Sequence, residues 1–158
     1  MRTWIVLLHV GAAFWFVAGL AGRDVTLAKA ASSQDVGLVA ELAELAGRFD
    51  KWMVIPGSIA VLLLGVTTVL AQGRSFAGTD GWWVLTSLVL FLSLIPLVPL
   101  VFVPRGRVFE RALSDALAKD EVTPELTAAL NDGAARAARM YERIVVIIII
   151  VLMVTKPF

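Results

Sequence analysis

The chain has 158 residues, of which 59% are hydrophobic and only 17% charged, and its net charge is +1. Soluble domains are roughly 45–50% apolar and about 25% charged, so a domain of this length has too little volume to bury this much oil in one soluble core. The near-neutral charge supplies no basic field to recruit nucleic acid. The lack of cysteine excludes disulfides, thiolate metal sites, iron–sulfur ligation and cysteine nucleophiles.

In chain order, the first apolar stretch is TWIVLLHVGAAFWFVAGLAG, residues 3–22, whose only ionisable side chain is His9. About 20 residues suffice to cross a bilayer and exceed the roughly 7–15-residue core of a secretory signal, so this stretch reads as a retained span. In the charged loop that follows, residues 23–51, Leu38, Leu42, Leu45 and Phe49 form one helical stripe. Glu44 and Arg48 are spaced for an i,i+4 pair with the acid first. Ser32 and Asp35 fit a loose capping box for a helix that runs straight into the second span.

That second span covers residues 52–71, with Pro56 in its first turns and Gly57 and Gly65 inside. The third, residues 82–103, opens with Trp82 and Trp83, which suit a membrane interface. Pro96 and Pro99 lie within it; their missing N–H groups free the carbonyls of Leu92 and Ile95 and predict a kink. In the loop 104–138, Phe109, Leu113, Ala116 and Leu117 make another stripe. Thr123-Pro124-Glu125 reads as an N-cap, a first-turn proline and an acid suited to the helix dipole. Asn131-Asp132-Gly133 then forms a break. The fourth span, residues 139–157, centres on IVVIIIIVLMVT. From Ile144 to the end this gives about 22 Å of helix, and Arg139 and Arg143 must reach toward headgroups to complete the crossing. The expected fold is all-α: a polytopic membrane protein, 1–158 as a single integral membrane domain, forming a four-transmembrane-helix bundle with helical cytoplasmic loop extensions.

Orientation follows from Lys and Arg. Arg23, Lys29, Arg48 and Lys51 lie in one long loop. Arg105, Arg107, Arg111, Lys119, Arg136, Arg139 and Arg143 lie in or beside the other, and only Arg2, Arg74 and Lys156 remain. The positive-inside rule places loops 23–51 and 104–138 in the cytoplasm and both termini outside.

His9 is the candidate functional residue, the single histidine and the only ionisable group well inside an apolar span. It stands roughly 9 Å from the span's outer end, where a polar side chain is costly and needs a reason. Ala12, Ala13, Phe16 and Gly19/Leu20 continue its face. A neutral imidazole there could ligate haem iron, handle a proton, or hydrogen-bond a hydroxyl such as Ser58, Thr86 or Ser93. A six-coordinate haem would need Met53, Met140, Met153, a lysine or a second copy's His9 as the other ligand. Pro56-Gly57 with Gly65 could be a hinge or a close-packing face, and the Ala18-x-x-x-Gly22 spacing reads as a small-residue contact. Arg105, Arg107 and Arg111 could hold a phosphate, or serve as an orientation signal that contacts anionic headgroups. Glu142 beside Arg139 and Arg143 reads as an interfacial ion pair. No serine–histidine–acid set, buried carboxylate pair, Walker loop or metalloprotease helix is present, so the sequence establishes no reaction and leans away from an enzyme.

LHVGAAFWFVAGL in the first span, followed by a charged helical loop and then IPGSIAVLLLG, resembles a group of small bacterial four-span proteins. Within that group it resembles the predicted integral membrane proteins called domain of unknown function 2269. The wider resemblance is to the copper-resistance D-type membrane domain and the four-span protoporphyrinogen oxidase. The residues that carry it are His9, Phe16, Ala18, Gly19, Leu20, Pro56 and Gly65. It implies a bacterial inner-membrane location and, through the oxidase-like proteins, a haem-associated role for His9. The chain departs from that pattern where Trp82 and Trp83 lead to Thr86 and Ser87 without the lysine, and where Phe16 stands for the usual tryptophan. The copper proteins' additional histidines are also missing. The expected function is a non-catalytic accessory or assembly component. Its expected partners are the lipid bilayer and either another protein, met through the cytoplasmic loops, or copies of itself. The alternative is a haem-binding redox protein that uses His9 as axial ligand.

Overall fold

A computed structural model describes residues 2–73 and 81–156, all of them helical or in turns between helices. Arg74 and the final residue of the expected fourth span lie outside the described residues. The chain divides into two compact units, Met1–Arg74 and Ser75–Phe158.

The first unit is a helical hairpin. Helix α1, Arg2–Ala31, has 30 residues and is about 45 Å long. After a short turn, α2 (Val36–Phe49), a π-helical turn (Asp50–Val54) and α3 (Ile55–Ala71) follow without interruption, as the loop pattern predicted. Polar side chains shape the turn. The Ser32 hydroxyl donates to the Lys29 carbonyl at the end of α1. One Asp35 carboxylate oxygen accepts the Gly37 and Leu38 amides at 2.9 and 3.2 Å. Asp35 is therefore the N-cap, one turn later than the capping box expected from Ser32, because Ser32 is already committed to finishing the preceding helix. The Glu44–Arg48 pair forms at 2.7 Å on the exposed side.

Glycines set the pairing of the hairpin's two arms. A Cβ at Gly22 would lie 2.6 Å from the Phe49 ring, and one at Gly19 would lie 2.6 Å from Met53 Cβ. On the opposite arm, a Cβ at Gly57 would lie 3.1 Å from both Cα and Cβ of Phe16. Moving down α1 from Gly22 to Gly19 to Phe16 moves up the facing arm from Phe49 to Met53 to Gly57, so the arms are antiparallel and each glycine receives a large residue. Sequence spacing pointed to Ala18 and Gly22, but Ala18 is exposed and Gly19 is buried. In α2 the buried residues are Val36, Val39 and Ala46, while Leu45 faces outward. Of the predicted stripe, Phe49 packs on Gly22 and Leu38 and Leu42 are half-buried, while the most deeply buried residues of α2 lie about one position round from it.

The second unit begins with α4, Trp82–Leu92, an apolar helix of 11 residues. The expected kink is a break: residues 93–96 form turns, then a π-helical turn (Val98–Phe102) leads into α5 (Val103–Lys119). The carbonyls released by the two prolines do not stay orphaned. Leu92 accepts from Ile95 and Ile95 from Val98, each at 3.2 Å. Tightening to i→i+3 bonds restores partners that hydrocarbon could not supply. Helices α6 (Pro124–Leu130) and α7 (Gly133–Thr155) complete the unit. Their N-caps are Thr123 and Asp132, whose side chains accept the Leu126 and Ala135 amides. Arg105 pairs with Asp132 at 2.9 Å, Ser93 meets the Tyr141 hydroxyl at 2.8 Å, and Lys156 Nζ lies 5.9 Å from the Trp83 ring centre. These three contacts run α7 antiparallel to the 83–105 segment.

Two continuous helical stretches, Thr3–Ala31 and Val36–Ala71, are long and apolar enough to cross a membrane. In the second unit the proline break shortens the third apolar stretch, and the charge-free part of α7 is only residues 144–155, about 18 Å. Large side chains such as Trp4 (71%), Phe14 (73%), Leu100 (74%) and Val154 (76%) point outward. An apolar exterior of this kind suits lipid and would be an aggregation liability in water.

Candidate functional site: the His9 face of the first hairpin

Helical spacing places His9, Phe16 and Gly19 on one side of α1, and that side packs against the other arm. His9 meets Gly65, two turns beyond the Gly57 that receives Phe16. A Cβ on Gly65 would lie 3.1 Å from His9 Cε1 and 3.6 Å from Nδ1. The ring also reaches the backbone of Val61, one turn before Gly65. His9 therefore occupies a glycine notch much as Phe16 does. Nδ1 is buried with no hydrogen-bond partner, and in hydrocarbon a polar atom in that condition is costly.

Several expected partners are engaged elsewhere. The hydroxyls of Ser58 and Thr86 bond to the carbonyls of Ile55 and Trp82 in their own helices. The Ser93 hydroxyl goes to Leu90 and Tyr141. Met53 packs at Gly19, ten residues and about 15 Å along α1 from His9, so it cannot share a haem with His9 within the hairpin. Among the described residues no group of three or more His, Asp or Glu could hold a metal ion.

Two further polar features lie toward the loop end of the same interface. Arg23 is 6% exposed. Its Nη1 lies 3.2 Å from an Asp50 carboxylate oxygen, and its Nε lies 3.5 Å from Asp24. The cluster forms where the apolar part of α1 ends. Sequence reasoning counted Arg23 as a loop charge and missed it. The signal was available in Arg23-Asp24 and Asp50-Lys51, two charged pairs that close the apolar stretches on either side of one loop.

The other feature begins at Pro56, which offers no N–H to the Trp52 carbonyl four residues earlier. The indole Nε1 of Trp15 donates to that carbonyl at 3.2 Å. A side chain from α1 thus fills the bond that proline removed from the opposite arm, one way proline is accommodated where water is scarce. Lys51 Nζ stands 5.5 Å from the Trp52 ring centre, a cation–π distance.

Long apolar helices packed through glycine, with an apolar exterior and charges gathered near their loop ends, define an all-α integral membrane protein. The family model described as predicted integral membrane protein (DUF2269) matches residues 3–157, and the chain belongs to that family. No curated protein and no solved structure matches it.

Proposed function

We propose that the protein is a four-span, non-catalytic accessory or assembly component of a bacterial inner membrane, working through helical hairpins that project into the cytoplasm. The observation that carries this reading is the length of the first hairpin. Arms of 29 and 36 residues measure about 44 and 54 Å, against a hydrocarbon core about 30 Å thick. The excess is ordered helix, capped at Asp35, and it carries outward-facing Val25 and Leu45 beyond the Arg23 cluster. A loop needed only to reconnect two spans requires no such structure. In the second unit, the third and fourth spans are residues 82–103, crossing through the proline break, and 139–157, completed by arginines that reach for headgroups. The arginine and lysine distribution puts both long loops inside and both termini outside.

The test is native electrophoresis of membranes extracted in mild detergent, with mass spectrometry of the band. A complex of defined composition that is lost in Leu45→Glu, while the variant chain still folds and inserts, supports the assignment. A chain that migrates alone in its own membrane extract refutes it.

A second reading, His9 as an axial haem ligand, is favoured by the buried, unpartnered Nδ1. Gly65 weighs against it, since the ring is already pressed into that notch. The visible spectrum of protein made with ample haem separates the two readings. A Soret band that disappears in His9→Ala supports ligation, and its absence, or an identical band in the variant, eliminates it.

A further inference from the structure

The three arginines in the first half of α5 are not alike. Arg105 is occupied by Asp132. Arg107 and Arg111, one turn apart on α5, are exposed and make no hydrogen bond or ion pair among the described residues. The nearby acids on their own helix, Glu110 and Asp115, are also exposed and do not pair with them. Two like charges at i,i+4 repel and weaken a helix slightly. A bound anion between them would turn that repulsion into attraction.

The same side of the helix identifies the anion. Pro104, Arg107 and Arg111 fall at i, i+3 and i+7, flanked by outward-facing Val103 and Val108, with Leu100 exposed just before them. Apolar side chains thus give way to arginine within one or two turns, as a lipid gives way from acyl chain to phosphate. Farther out the charge reverses: Asp115, Asp120, Glu121 and Glu125 are exposed around Lys119, so an anionic surface attracts the base of this hairpin and repels its tip.

We propose that Arg107 and Arg111 bind the phosphate of an anionic phospholipid headgroup, with Val103 and Val108 against the lipid's glycerol and upper acyl region. Guanidinium groups suit this role because their paired N–H groups match phosphate oxygens. The site rests on the four-span reading for its place at the cytoplasmic membrane boundary.

The whole 158-residue chain in neutral detergent is titrated with phosphatidylglycerol, phosphatidylcholine or glycerol 3-phosphate while its thermal unfolding is followed. Phosphatidylglycerol is expected to stabilise the wild type at lower concentration than phosphatidylcholine. Each arginine near an anionic surface contributes about fivefold in binding, so Arg107→Gln/Arg111→Gln should need about thirtyfold more phosphatidylglycerol. The distal control Lys119→Gln should respond like wild type. If the double variant does not fold, Arg107→Lys/Arg111→Lys takes its place, keeping the charge but losing the fork, with a smaller loss expected. An undiminished phosphatidylglycerol response in the substituted protein overturns the proposal. So does an equal loss in Lys119→Gln, or an equal effect of glycerol 3-phosphate, which would mark a site for free phosphate. Orientation is read separately, from Ala118→Cys and a membrane-impermeant thiol reagent on intact cells. Labelling there overturns the topology and leaves the detergent titration to decide whether the lipid binds.

Discussion

Replacing Gly19 with alanine places a methyl carbon 2.6 Å from Met53 Cβ and 3.2 Å from the Val54 amide nitrogen. Carbon atoms pack best at about 3.5–4.0 Å, so the two arms must part locally by roughly 1 Å. Met53 Cβ is bonded directly to the backbone, and no rotamer moves it away. Overpacking of this kind costs about 1–3 kcal/mol, while alanine's better helix propensity offsets up to about 1 kcal/mol. A net loss of about 1–2 kcal/mol is expected. Gly11, in the same helix, provides the control: a Cβ there meets nothing within 4 Å, so Gly11→Ala should be neutral or stabilising by up to about 1 kcal/mol. Thermal unfolding of both variants in one mild detergent measures the difference. A gap of about 1–3 kcal/mol, at roughly 2–4 °C per kcal/mol, should separate their unfolding temperatures by about 2–12 °C. Equal unfolding temperatures would show that the arms do not meet at Gly19 and would refute the glycine-notch pairing.

Trp15→Phe keeps an aromatic side chain but removes the Nε1 donor to the Trp52 carbonyl, and should destabilise by about 1 kcal/mol. In a Pro56→Ala background the restored amide supplies that bond, so the same change should cost almost nothing; a double-mutant cycle without coupling argues against the shared carbonyl. Arg23→Met removes the cation between Asp24 and Asp50. The cost should be about 1–3 kcal/mol, below the range of a fully buried pair because the Asp50 side chain is 42% exposed, and an unchanged denaturation midpoint would contradict a stabilising role for the cluster.

Much of this helical architecture is legible in the residues themselves, because helix formation and termination are local. Thr123 caps α6, Asp132 ends the break before α7, and Pro96 with Pro99 interrupts the third apolar stretch, each through groups a few residues apart. Local chemistry also misled where two choices competed. Ser32 and Asp35 are both good caps, and only the preceding helix, which claims Ser32, decides between them. The leucine spacing of α2 announced a helix and put Phe49 at its contact with α1, but it did not single out Val39 and Ala46 as the most buried positions, because periodicity does not record how closely a neighbour approaches.

From composition and pattern alone it follows that the chain is helical, that its apolar stretches demand lipid, and that His9 is the one titratable group placed deep among them. These outcomes depend on contiguous residues and on transfer from water. The pairing of Gly65 with His9 and Gly19 with Met53, the closing of Arg23 on Asp50, and the gift of a Trp15 proton to the carbonyl that Pro56 left bare are decided only in the tertiary structure. Each joins residues 27 or more positions apart, and their meeting is set by the depth to which two helices can approach, a distance that no single segment encodes.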